Sequence, residues 1–72
     1  MGYTIHSRLK QCLQERGMTQ KQLSEETGLR EATISSICRD TLTSLNLMHI
    51  AKIAEALDVQ DIREIIELRI SE

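Results

Sequence analysis

Apolar residues recur along this chain at helical spacing, and turn-forming residues separate the stretches in which they do. Ile5, Leu9, Cys12 and Leu13 fall at i, i+4, i+7 and i+8 and leave Arg8, Lys10, Gln14 and Glu15 on the wet side, which predicts an amphipathic helix ended by Gly17. Thr19 followed three residues later by Gln22 is a capping-box pattern, and Met18 is placed to staple against Leu23. A second, short helix therefore starts there and stops near Gly28. Residues 30–39 set Ile34 and Ile37 among the small side chains Ala32, Thr33, Ser35 and Ser36, a helix with little bulk outside; residues 40–45 mix turn formers with β-branched residues and read as a loop. Asn46 caps a fourth helix with the stripe Leu47, Ile50, Ile53, Ala54 and Leu57. After a short connection over 58–60, Asp61 caps a last helix carrying Ile62, Ile65, Ile66, Leu68 and Ile70. The expected fold is all-α: a compact bundle of four to five helices without a strand, with Ile5, Leu9, Leu13, Leu23, Ile34, Ile37, Leu47, Ile50, Ile53 and Leu57 in one core.

Length limits what such a chain can do. Residues 1–72 make one domain at most, and so short a core must be economical. With no Pro, three Gly and Tyr3 as the sole aromatic residue, the composition suits packed helices rather than short-stranded folds. Cys12 and Cys38 read as buried small apolar residues in a reduced, cytoplasmic protein: nothing at the N-terminus resembles a signal peptide and no His/Cys spacing supports a metal site. No apolar run approaches the roughly 18 residues of a membrane span. His6 and His49 stand alone and are assigned to the surface. No nucleophile–base or paired-carboxylate arrangement is present, so neither an enzyme nor a cofactor or small-molecule substrate is expected.

The net charge of −2 counts against a nucleic-acid partner, because phosphate contacts normally leave a basic footprint. The acid, however, lies mostly in the last third, while the first 18 residues hold Arg8, Lys10 and Arg16 against Glu15. The informative stretch is Gln20 to Arg39. Its spacing fits two short helices crossing steeply through a tight turn: Leu23 and Ser24 on the inner face of the first, Gly28 at the turn, and Leu29, Ile34 and Ile37 on the inner face of the second. Gln20, Arg30, Glu31, Ala32, Thr33, Ser35 and Ser36 are left pointing outward.

The segment "GMTQKQLSEETGLREATISSI", with its flanks from about Ile5 to Leu68, resembles the Cro/repressor-like (lambda-repressor-like, XRE) helix-turn-helix family. The resemblance implies a transcriptional regulator of bacterial or phage origin, probing double-stranded DNA with the helix over 30–39 in the major groove, commonly as a homodimer on a two-fold site. Carried onto this chain, the DNA-facing residues are Thr19, Gln20, Arg30, Glu31, Ala32, Thr33, Ser35, Ser36, Arg39, Thr41 and Thr43. The chain departs from the family in having Ser24 where Ala is usual, and a loop after the recognition helix without the usual Gly, Lys and Arg. The last helix holds more apolar residues than one stripe needs, which marks Ile62, Ile66 and Ile70 as a candidate dimer face. A reading from another class is a protein-interaction module on the same fold, whose acidic residues would face a toxin, an antirepressor or a polymerase subunit.

Overall fold

A computed structural model describes residues 2–41 and 43–71. Their order is β1 (Gly2–Ser7), α1 (Leu9–Arg16), α2 (Gln20–Thr27), α3 (Glu31–Cys38), α4 (Leu47–Leu57), a single 3₁₀ turn (Ile62–Glu64) and β2 (Ile66–Ser71). The two strands pair antiparallel, Tyr3 opposite Ile70 and Ile5 opposite Leu68, and so join the two ends of the chain. The described residues thus form four helices and a two-stranded ribbon, mostly helical but not all-α.

Local chemistry sets the helix boundaries. Gly17 closes α1 at φ +63° and Gly28 closes α2 at φ +74°, a region that suits a residue without Cβ. Thr19 and Gln22 form the full reciprocal capping box at the start of α2. Asn46 Oδ1 accepts from the N–H groups of Met48 and His49 at 2.9 and 3.3 Å and so starts α4. Asp58 ends α4 at φ +54°, a conformation that Asp tolerates better than most residues.

Eight of the ten expected core residues are buried: Leu9, Leu13, Leu23, Ile34, Ile37, Ile50, Ile53 and Leu57. Cys12, Cys38, Val59 and Ile65 complete the cluster. Each large side chain taken from water contributes about 1.5–3 kcal/mol, and this burial holds the short helices, too short to persist alone, in place.

Three expectations are corrected. The first helix begins at Leu9 rather than near Ile5, because Tyr3 and Ile5 alternate with Thr4 and His6 at the period of a strand; Ile5 is 57% exposed. The last helix is absent: Asp61 caps only the 3₁₀ turn, and Ile66, Leu68 and Ile70 alternate with Glu67 and Arg69 along β2. Leu47 is 83% exposed, because it stands at the first position of α4 on the rim of an open groove that it shares with Ile50, Ala54 and Ile65. The junction of ribbon and body is tied by the Arg8 N–H, which donates to the Ile65 carbonyl at 2.6 Å. No helix among the described residues is long and apolar enough to cross a membrane.

Candidate nucleic-acid interface

Helix α3 is held against α2 by both packing and hydrogen bonds. Leu23, Ile34 and Ile37 are buried between the two, and Leu29 is half-buried over them. The turn itself is locked by side chains: Ser24 Oγ donates to the Leu29 carbonyl at 2.5 Å, and Thr27 Oγ1 donates to the Leu23 carbonyl at 2.8 Å while accepting from the Leu29 N–H at 3.2 Å. Ser24 therefore does more than stay small, since its hydroxyl satisfies a part-buried carbonyl that Ala would leave to solvent. Thr27, directly ahead of Gly28, ties the same turn from α2, and a hydroxyl residue just before the turn glycine is its signal in the sequence.

The face of α3 turned away from the core carries exposed Glu31 and Ala32 and half-buried Thr33, Ser35 and Ser36. Arg30 and Arg39 flank the helix, both exposed. Arg30 offers α3 no side-chain cap, so the first-turn N–H groups of this helix face outward without a partner from it. At the start of α2, Gln20 is half-buried, and Thr19 Oγ1 is occupied by the Gln22 N–H, leaving only its hydroxyl proton to donate elsewhere. Thr41 and Thr43 are exposed in the loop, with the Thr41 hydroxyl donating at 3.4 Å to the Ser36 carbonyl. All eleven residues expected at the interface thus lie on or beside α2, α3 and the following loop.

The charge problem has a structural answer. Arg63 pairs with Asp61, Arg69 with Glu67 and Arg16 with Glu64, so much of the C-terminal acid is neutralised by its own neighbours. Asp61 is held down at about 2, first by its hydrogen bond with the Arg63 side chain. Among the described residues no ion pair involves Arg30, Arg39, Lys10 or Lys21. Lys10 lies close enough to Cys38, at the end of α3, to draw down a thiol pKa that burial raises. It is an additional cation beside the recognition helix, visible in the sequence only as a wet-side residue of α1.

His6 is not a solitary surface histidine. Its Nδ1 lies 2.5 Å from Asp40 Oδ2 and its Nε2 2.8 Å from the Thr4 hydroxyl, while the Ser7 N–H donates to Asp40 Oδ1 at 2.8 Å. Asp40 sits at φ +59° immediately beyond α3, and these bonds, the Ser7 N–H foremost, depress its pKa. The end of the recognition helix is thereby clasped to β1, and Asp40 is engaged by His6 rather than by Arg39. His49 is half-buried in the first turn of α4. Of the three residues expected at a dimer face, Ile62 is exposed on the 3₁₀ turn, Ile66 is half-buried against the core, and Ile70 is exposed toward the end of β2.

Two short helices crossing through a glycine turn, with small polar side chains and unpaired arginines on the outer face, define a helix-turn-helix DNA-binding domain. The Cro/C1-type helix-turn-helix DNA-binding domain model matches residues 8–69. Among solved structures, the chain is similar to a crystal structure of a candidate DNA-binding protein from Bacteroides fragilis, at 34% identity and a TM-score of 0.76, covering 89% of this chain and 100% of that one. No curated protein matches it significantly. The chain belongs to the Cro/C1-type helix-turn-helix DNA-binding domain family.

Proposed function

We propose that this chain is a repressor-like transcriptional regulator that binds a two-fold operator as a homodimer with α3 in the major groove, and that it acts by occupying DNA rather than by chemistry. The observation that carries this reading is the distribution of charge: Asp61, Glu64 and Glu67 toward the C-terminus are paired with Arg63, Arg16 and Arg69, whereas among the described residues Arg30, Arg39 and Lys10 around α3 are in no ion pair.

Phosphate contacts fall to Arg30, Arg39 and Lys10, to Thr19 and Gln20 at the open start of α2, and to the hydroxyls of Thr41 and Thr43. Base selection falls to α3. Glu31 accepts a hydrogen bond from a cytosine N4, Ala32 and the Thr33 methyl contact thymine methyls, and the short Ser35 and Ser36 allow the helix to sit deep. With few cations, the salt-dependent component of affinity is small for a DNA reader, so specificity rests mainly on these short-range contacts.

Titrating the chain into labelled duplexes at several salt concentrations tests the proposal. A sequence-dependent mobility shift that weakens with salt supports it. Indifference to every duplex at moderate salt, together with tight association with a protein partner, would establish the interaction module instead.

A further inference from the structure

Among the described residues, the ribbon presents an apolar face that is left largely open to water. In an antiparallel pair, directly opposed residues share a face, so Tyr3 with Ile70 and Ile5 with Leu68 stand on one side, while Thr4, His6, Glu67 and Arg69 stand on the other. The four apolar residues are 63%, 58%, 57% and 57% exposed in that order. Ile62, 56% exposed, extends the patch at the ribbon's base, where it shares an open groove with Ile5, Ile66 and Leu68.

We infer that this face is covered by the same face of a second copy of the chain, the two ribbons stacking as a small sandwich about a two-fold axis. Three observations select that occupant. First, a two-stranded ribbon is marginal in water unless a hydrophobic face is packed, and this one meets its own body at its base, through Ser7, Ile66 and the His6–Asp40 clasp, while Tyr3, Leu68 and Ile70 stay largely in water; the molecule is 40 Å long but only 21 by 19 Å across. Second, among the described residues no charged side chain stands between Tyr3, Ile5, Leu68 and Ile70: Glu67 and Arg69 pair with each other on the reverse side, and the nearest charges, Arg8, Arg63 and Glu67, line the groove around Ile62 at the base. That arrangement suits a ribbon face able to meet its own image without like-charge repulsion. Third, the four ribbon side chains leave roughly 400 Å² in water, within the 300–600 Å² of the largest patches on monomers. With Ile62, the patch supplies somewhat more than half of the roughly 800 Å² per partner of a standard interface.

The arrangement gives a surface to the dimer proposed above and rests on that reading for its use.

Sedimentation equilibrium of the full chain without DNA, across a wide concentration range, tests the inference. Wild type is expected to be dimeric. Ile5→Lys and Leu68→Lys are each expected to weaken dimerisation at least about a hundredfold, since each buries an unpaired charge. Thr4→Lys, on the opposite face of the same strand, should leave dimerisation within a few-fold of wild type. Far-UV circular dichroism and binding to a single half-site establish that the variants remain folded. A monomeric wild type, a dimer indifferent to Ile5→Lys and Leu68→Lys, or equal loss with Thr4→Lys would each overturn the face assignment. Half-site binding by a monomeric chain would leave the regulator reading standing, whereas a dimer that ignores all DNA would remove that reading and leave the interface.

Discussion

Replacing Ile34 with alanine tests whether α3 is anchored as described. Its side chain is fully buried among core residues from α1, α2 and α4. The substitution removes three carbons, worth about 2.4 kcal/mol at ~0.8 kcal/mol each. The cavity left behind adds to this, and a total near 3 kcal/mol falls inside the usual range of about 2–5 kcal/mol. A chain of this length has a total stability on the order of 4–11 kcal/mol at ~0.05–0.15 kcal/mol per residue, so the loss is a large fraction. In temperature it corresponds to a fall in Tm of about 12–24 °C. Urea unfolding followed at 222 nm measures it, with an unchanged m-value as the sign that the unfolded reference is the same. Leu47→Ala is the internal control, because the same kind of truncation at an 83% exposed side chain should stay within about 0.5 kcal/mol of wild type. A loss below about 1 kcal/mol for Ile34→Ala, or comparable losses at the two sites, would refute the packing scheme.

The two classes of DNA contact should fail differently. Arg30→Ala and Arg39→Ala should weaken binding to all duplexes alike and each lower the salt slope by about one unit, while Gln20→Ala weakens binding with little change in slope. Glu31→Ala and Ser36→Ala should shift the preferred base at one position by roughly 1–3 kcal/mol, read by competition among single-substitution operators. Asp58→Gly should stabilise the fold by up to about 1 kcal/mol in urea unfolding, because it relieves a side chain at φ +54°. Asp61 should titrate at about 2 by carboxyl NMR, and Arg63→Gln should return it toward 3.8; because its folded pKa is depressed, its contribution to stability is complete above about pH 4 and is lost as pH falls from there through about 2.

What could be read in the sequence was local. The capping box at Thr19 and Gln22, the glycine stops at 17 and 28 and the Asn46 cap depend on residues within four positions of each other, and so did the buried stripes of α2, α3 and α4. The hinge of the candidate site was legible for the same reason. The ribbon was not. Ile62, Ile65 and Ile66 fit a helical stripe, while Ile66, Leu68 and Ile70 alternate, and the conflict is resolved only by pairing with residues 2–7 at the far end of the chain. Missing the strand also hid the Glu67–Arg69 pair, two positions apart and therefore on one face of a strand but not of a helix. The His6–Asp40 clasp spans 34 residues and leaves no local signature in either segment.

The central claim is that α3 reads sequence in duplex DNA, and selection of bound molecules from a pool of random duplexes, by wild type and by Glu31→Ala in parallel, tests it most directly. The account predicts one enriched motif for wild type, arranged as two inverted half-sites, and a changed base at one position of each half-site for Glu31→Ala. A pool that remains random after repeated rounds at moderate salt, or identical motifs from the two proteins, would contradict it.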